Sequence, residues 1–319
     1  MTVTSGPVIL LGGPTASGKS GLAMRLARAV SGILINADSM QVYADLRVLT
    51  ARPSPQDEAA LPHRLYGAID AAERCSVGLW HGLAHDAADQ AVQVGRVPIL
   101  VGGTGLYLEA FRKGLSPIPE TPPDLRQRLS VRLAAEGSEV LHAELVACDP
   151  DLAAQLPPGD SQRIQRALEV LELTGVPLSE WRKRPRTGAW PGPLLYLVVA
   201  PARDALYRSC ESRFDAMLAA GALDEVRQLT ARGLDSSLPA MRALGVPHLM
   251  AHLDGHLSLE EAAERAKTGT RRYAKRQSTW FRHQAAEALR IEGFGHDKAA
   301  ESAVESAAQF LLTAQGTPA

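Results

Sequence analysis

Apolar positions along the chain follow two rhythms. Short continuous runs at residues 8–11, 32–37 (GILINA), 97–101 (VPILV) and 194–200 (LLYLVVA) have the length of buried strands. Between them Leu22, Leu26 and Val30, and then Leu79, Leu83, Ala87 and Ala91, recur at helical spacing. Ser76 stands as cap before the second of these helices and Gly95 as its stop. Buried strands alternating with helices predict an α/β fold with a parallel sheet flanked by helices. Residues 50–72 keep neither rhythm and carry prolines, which reads either as a loop that closes over a substrate or as surface filler.

The prolines of 115–123 (LSPIPETPP) break the alternation. From there to about Gly188 no strand pattern appears, and helices are predicted over 124–136, 138–147 and 160–174, the last stopped by Gly175. Residues 120–188 are therefore expected to form a small all-helical insertion between two parts of the core, 1–119 and 189–319. In its third helix Ile164, Leu168 and Leu171 form an apolar stripe that leaves Gln162, Arg163 and Arg166 on the other side. Arg182, Lys183, Arg184 and Arg186 add positive charge soon after, making RNA or phosphate contact one reading and a solvated face the other. Beyond the returning strand, Leu206, Cys210, Phe214 and Met217 face inward on a helix over 204–219, with Arg208 and Arg213 directed elsewhere. A short helix over 223–232 stops at Gly233, and the capping box Ser258-x-x-Glu261 opens a long one. The alanine-rich tail after Gln284 shows no chemistry.

With 319 residues, 45% of them hydrophobic, and a formal charge of -1, the chain has ample material for a globular core, so any nucleic-acid surface must be a local patch. No apolar run approaches the roughly 18 residues of a membrane helix. No basic segment precedes the first apolar run, so a cytoplasmic protein is expected. Cys75, Cys148 and Cys210 are odd in number and far apart, which suits reduced thiols and offers no metal-binding spacing.

The first apolar run leads into Gly13-Pro14-Thr15-Ala16-Ser17-Gly18-Lys19-Ser20, which fits G-x-x-x-x-G-K-[ST]. Glycines let backbone wrap a phosphate, N–H groups and a helix N-terminus face its oxygens, Lys19 adds a cation, and Ser20 offers an oxygen to Mg²⁺. Asp38 follows the second strand at the sheet edge where ligands bind in parallel α/β folds, as an active-site carboxylate or as a turn residue. The third apolar run leads into Gly102-Gly103-Thr104-Gly105, without the magnesium-associated carboxylate of many nucleotide hydrolases, and brings the Thr104 hydroxyl to the same edge. Between Arg265 and Arg282 seven cations, with Lys267, Arg271, Arg272, Lys275 and Arg276 between them, occur without one acidic residue, interleaved with Tyr273, Trp280 and Phe281. A structural helix would alternate Glu and Lys at i,i+4, so this one is expected to touch nucleic acid or polyphosphate.

With these blocks in order, the chain resembles the tRNA dimethylallyltransferases along nearly its whole length: the phosphate loop, Asp38-Ser39-Met40-Gln41, Gly102-Gly-Thr-Gly-Leu-Tyr107, the run 160–169 (DSQRIQRALE), the run 239–245 (PAMRALG) and the run 270–282 (TRRYAKRQSTWFR). The resemblance implies a P-loop NTPase-like core and transfer of a dimethylallyl group from dimethylallyl diphosphate to the exocyclic amine of the adenosine 3′ of the anticodon, in tRNAs reading codons that start with U. It implies that Gly13 to Ser20 hold the diphosphate with Mg²⁺ on Ser20, that Asp38 is the general base, and that Thr104 and Lys19 act beside it. It implies tRNA contacts, to the anticodon stem-loop, by Asp38, Ser39, Met40, Gln41, Thr104, Arg126, Gln162, Arg163, Ile164, Gln165, Arg166, Arg242, Lys275, Arg276, Gln277 and Arg282, made by a monomer away from any membrane. Two departures stand out. Many members carry an arginine that assists the diphosphate where this chain has Ser209, leaving Arg208 and Arg213 as candidates, and Val246-Pro247-His248 replaces the usual aromatic and polar or basic residues. A small-molecule or nucleoside kinase, an adenylate isopentenyltransferase acting on free AMP, and a non-enzymatic RNA-binding module are the competing readings.

Overall fold

Five-residue runs such as VILLG and GILIN, buried at every position, can only be central strands of a sheet covered on both faces. In the computed structural model, which describes residues 5–315, the chain runs β1 (Val8–Gly12), α1 (Lys19–Ala29), β2 (Gly32–Asn36), α2 (Pro55–Ala60), β3 (His63–Arg64), α3 (Val77–Gln93), β4 (Val97–Gly102) and α4 (Gly105–Lys113). It continues through the helices α5 (Pro123–Glu136), α6 (Ser138–Cys148), α7 (Pro150–Ala153), α8 (Ser161–Thr174) and α9 (Leu178–Lys183). The sheet is then regained with β5 (Leu194–Ala200), followed by α10 (Arg203–Ala219), α11 (Ala222–Ala231), α12 (Val246–Leu253), α13 (Leu259–Gln284), β6 (Leu289–Glu292) and α14 (Glu301–Gln315). The strands form one parallel sheet of six in the order β3-β2-β4-β1-β5-β6, with Ile9 of β1 level with Ile99 and Leu195. Side-chain alternation sends Leu10, Ile35, Leu100 and Val198 to one face, under Trp80, Phe111 and Phe281. Leu11, Leu34, Val101 and Val199 go to the other face, under Leu22 and Leu26 of α1 and Ala303 and Ala307 of α14.

The chain forms two compact units, Met1–Arg112 with Trp190–Ala319, and Lys113–Ala189. The second contains α5 to α9 around Leu129, Leu141, Leu145, Ile164 and Leu168. Its buried Asp149 accepts from the amides of Leu152 (3.3 Å) and Ser179 (3.0 Å), which caps α7 and anchors the start of α9.

Several expectations change. Leu79 is 44% exposed, and the buried stripe of α3 is Trp80, Ala84, Ala87, Ala88 and Ala91. The indole of Trp80 sets this phase, donating 2.8 Å to the carbonyl of Asn36 and stacking on Tyr107 with centroids 4.3 Å apart. Residues 50–72 contain a capped helix, with Ser54 and Asp57 bonding reciprocally, and an edge strand. Proline at its first helical position and its short length had masked α2. The tail after Gln284 supplies both an edge strand and the helix that covers one end of the sheet. Its alanines were unremarkable as a pattern because small residues signal close packing only once a partner is present.

Candidate active site

The phosphate loop turns on Ala16 (φ 63°) and Gly18 (φ 80°), and Gly18 opens α1 without a side-chain cap, so the first amides of the helix are left for a ligand. A Cβ on Gly18 would lie 3.1 Å from the amide nitrogen of Gly295, whose N–H donates 2.9 Å to the Ser17 carbonyl. The segment after β6 thus supports the loop from beneath. Lys19 is buried, and its amine lies 3.5 Å from the Pro14 carbonyl. Burial lowers it to about 8; the charge of Asp38 opposes this and the guanidinium of Arg213 adds to it. The Ser20 hydroxyl is exposed and makes no hydrogen bond among the described residues.

Asp38 is held by backbone and side chain together. The buried amide of Asn36 accepts from the Asp38 N–H (2.9 Å) and donates to its carbonyl (3.0 Å), and Asp38 Oδ1 accepts from Met40 N–H (2.9 Å). The Thr104 hydroxyl accepts from Ser39 N–H at 2.9 Å and lies 3.2 Å from Ser39 Oγ, joining the ends of β2 and β4. The glycines of 102–105 are required by close approach: a Cβ on Gly103 would sit 2.3 Å from Gln277 Nε2 and 3.3 Å from Asp38 Oδ2, and one on Gly105 would enter the Trp280 ring.

Gln277 is the joint of the site. Its Nε2 donates 2.7 Å to the Gly103 carbonyl and its Oε1 accepts 2.8 Å from Thr15 N–H, so one buried side chain from α13 ties the phosphate loop to the end of β4. Gln277 is therefore a buried brace in this structure, with both ends of its amide engaged within the protein. Gln41 is corrected in the same way, since it is buried with its amide on the carbonyls of Thr50 (2.9 Å) and Ala51 (3.1 Å). Ile164 is fully buried in the helical core, and Gln165 donates inward to Ser130 (2.9 Å) and Glu169 (2.9 Å). Both side chains are engaged within their own unit. The apolar periodicity of α8 is met at Ile164 and Leu168, both buried, whereas the RNA contacts implied for Ile164 and Gln165 fall on side chains turned into the helical unit.

Arg213 bonds the Thr15 hydroxyl and lines the cavity described below, where burial lowers its affinity for protons, whereas Arg208 is exposed and does not line it. Ser209 donates 2.9 Å to the Ala16 carbonyl, bracing the loop where an arginine was expected. The cavity, of about 250 Å³, has a polar side of Thr15, Asp38, Ser39, Arg213, Arg242 and Arg276 and an apolar side of Met40, Leu49, Phe214, Met217 and Leu244. Tyr273 and Thr50 also line it, and neither had been singled out as a site residue. Lys275 and Arg282 are exposed on α13, Arg282 bordering a separate depression beside Pro14 with Arg203 and Arg290. In the helical unit Gln162 and Arg163 are exposed, Arg126 is half-buried, and Arg166 bonds Thr121 and Glu169.

The basic stretch of α13 is partly neutralised after all. Lys267 pairs with Asp215 of α10 at 2.7 Å and with Glu264 of its own helix at 3.2 Å, and Arg271 pairs with Glu211 of α10. Arg272, Lys275, Arg276 and Arg282 have no carboxylate partner among the described residues. No cluster of acidic, histidine or cysteine side chains suited to a metal occurs among the described residues, and no helix there is long and apolar enough to cross a membrane.

A family model described as IPP transferase matches residues 41–284, and one described as isopentenyl transferase matches residues 6–71. A tRNA dimethylallyltransferase of Rhodospirillum centenum is 55% identical over 90% of this chain and 91% of its own, and one of Rhodospirillum rubrum is 55% identical over 88% and 86%. Among solved structures, a tRNA isopentenylpyrophosphate transferase of Bacillus halodurans matches with 32% identity and a TM-score of 0.70 over 98% of both chains. A eukaryotic dimethylallyltransferase acting on tRNA matches with 28% identity and a TM-score of 0.83 over 97% of this chain and 80% of that one. With its P-loop core and prenyl-transfer relatives over most of its length, this chain belongs to the tRNA dimethylallyltransferase family.

Proposed function

We infer that this protein transfers the dimethylallyl group of dimethylallyl diphosphate to the exocyclic amine of the adenosine 3′ of the anticodon, in tRNAs reading codons that start with U. The observation that carries this reading is that one cavity is lined both by Asp38, Thr15 and Arg213 and by Leu49, Phe214 and Met217. An allylic diphosphate needs this pairing of anion-binding groups with apolar side chains. In the reaction the allylic carbon–oxygen bond breaks, its electrons leave with the diphosphate, the adenine nitrogen bonds the carbon, and the amine proton passes to Asp38. Lys19, Arg213 and the uncapped amides of α1 stabilise the departing charge, a kind of contribution worth about 3–4 kcal/mol per well-placed donor.

Mg²⁺ fits one place. The Ser20 hydroxyl is exposed and unbonded among the described residues and would hold a magnesium ion, which needs no protein cage of carboxylates. When bound there it supplies further neutralisation of diphosphate charge. Because an anticodon-loop base must leave its stack to reach Asp38, the exposed Lys275, Arg276, Arg242 and Arg282, with Arg126, Gln162, Arg163 and Arg166 of the helical unit, hold the RNA in a cytoplasmic enzyme. Cations extending beyond a nucleotide-sized cavity favour RNA over free AMP as acceptor.

The test is transfer of label from dimethylallyl diphosphate, with Mg²⁺, to an unmodified anticodon stem-loop or to AMP. Label is expected in the RNA alone, and Asp38→Ala is expected to lower transfer by about 10³-fold while RNA affinity stays within several-fold. Label in AMP alone, or phosphate passed on from ATP, overturns the reading.

A further inference from the structure

The turn at residues 46–52 forms one wall of the cavity, yet its shape is imposed from outside it. The turn reverses through Ala51 at φ 53°, with Ala51 N–H donating to Val48 O (3.0 Å) and Arg52 N–H to Arg47 O (2.9 Å). Three successive amides are thereby turned the same way, and one carboxylate takes all of them: Glu225 of α11 accepts from Arg47 N–H (2.5 Å) and Val48 N–H (2.8 Å) on Oε1 and from Leu49 N–H (2.8 Å) on Oε2. Consecutive backbone amides form an anion nest, and bonds to an ionised acceptor are the strong ones. Arg232, just past α11, also pairs with Asp45 and Asp70 (2.7 Å to the latter), so the loop is tied to α11 at two levels.

The pinned residue matters to the ligand. Leu49 lines the same cavity as Arg213, and its Cδ1 lies 3.1 Å from where a Cβ on Gly245 would stand, at the same distance as the Phe214 ring. Leu49 therefore fills the space beside Gly245 that a side chain there would need, and its backbone amide is held by Glu225. We propose that Glu225 is a positioning residue that sets the depth of the apolar half of the cavity through Leu49, and so limits the length of the allylic chain the enzyme accepts. This rests on the reading that the apolar half seats the dimethylallyl group.

The experiment measures kcat and KM for dimethylallyl and geranyl diphosphates with one stem-loop RNA. Glu225→Gln keeps one accepting oxygen and turns an amide NH₂ toward an N–H, releasing part of the turn. It is expected to raise KM for dimethylallyl diphosphate and to cut the preference over geranyl diphosphate, each by about tenfold, with kcat within about threefold. Leu49→Ala, which deepens the same wall directly, is expected to relax selectivity in the same direction, and Glu225→Gln added to it should change selectivity no further. A role in stability alone would lower the folded fraction and leave the selectivity ratio untouched. Unchanged selectivity in Glu225→Gln overturns the inference, and should that variant not fold, unchanged selectivity in Leu49→Ala overturns it. Those results come from a wild-type chain that transfers the dimethylallyl group; a wild-type chain that transfers none overturns the underlying reading, and the inference with it.

Discussion

Two glutamines, one in each unit, show how differently the two parts of this molecule are built. Gln277 in the core makes its bonds to Thr15 and Gly103, which are 262 and 174 residues away in the chain. Gln165 in the helical unit bonds Ser130, the Arg126 carbonyl and Glu169, the last only one helical turn along. Both are engaged internally, but the first holds two sides of a reacting centre together and the second holds helices together. A polar side chain in the core therefore reports on chemistry, whereas its counterpart in the helical unit reports on local stability.

The largest effect that tests this contrast comes from replacing each glutamine by leucine, which keeps the volume and removes the bonds. Gln277→Leu leaves the Thr15 amide and Gly103 carbonyl unpaired, at about 1–3 kcal/mol for each buried group. Because the phosphate loop is then free to shift relative to Asp38, transfer is expected to fall by about 10²-fold, mostly in kcat. Gln165→Leu is expected to cost about 1–2 kcal/mol in chemical denaturation while leaving kcat within about twofold. Equal losses of kcat in the two variants would erase the distinction.

The same contrast explains what could be read from the chain alone. Asp38, Lys19 and Thr104 were legible because a strand end, a glycine-rich turn and a helix start each carry a local signature, and four of the six strands announced themselves as buried apolar runs. The bracing role of Gln277 was not legible: its partners are fixed only when α13 lies across the sheet edge, and a glutamine within a basic run looks like one more polar surface position. Glu225 was equally silent, being one of two adjacent acidic residues in the first turn of a short helix, with backbone amides as its partners. The edge strand β6 escaped because a four-residue segment, LRIE, with mixed polarity carries no periodic signal of its own. In the helical unit the local rules find α5, α6 and α8 but pass over the short α7 and α9, which carry too few residues for a periodic signal, and they group the buried Ile164 and Gln165 with exposed neighbours.

A second, smaller effect separates the units by pH. Lys19 sits at about 8 in the free protein because burial disfavours its charge. A diphosphate placed beside it favours the ammonium form, so binding above that value must take up a proton. Affinity for dimethylallyl diphosphate is expected to be flat below pH 8 and to weaken by up to about tenfold per pH unit above it, measured by calorimetry in two buffers of different ionisation enthalpy. RNA contacts made through guanidinium groups do not titrate in that range. A stem-loop affinity that fell in parallel with the diphosphate affinity would place Lys19, or another group titrating near pH 8, in the RNA interface and so break the division.

The smallest effect concerns the surface cations themselves. In the helical unit Arg163 lies 3.5 Å from Asp160 and Arg166 bonds Glu169 at 3.4 Å, so an RNA phosphate competes there with a carboxylate already present. On α13 Lys275 and Arg276 have no such competitor among the described residues, and Arg276 rests on the ring of Tyr273 at 5.6 Å, where it also borders the cavity. Each phosphate contact releases counterions, so removing Lys275 or Arg276 is expected to reduce the slope of log affinity against log salt by about 0.7–1 and to weaken stem-loop binding several-fold at moderate salt. Arg163→Ala is expected to change the slope by less than half as much, because the neighbouring carboxylate already offsets most of that charge and surface pairs contribute only about 0–1 kcal/mol. Asp160→Ala then sharpens the comparison: freeing Arg163 from its partner should tighten RNA binding slightly, whereas a loss of binding would mean that the N-cap of α8, and not the arginine, is what the RNA requires.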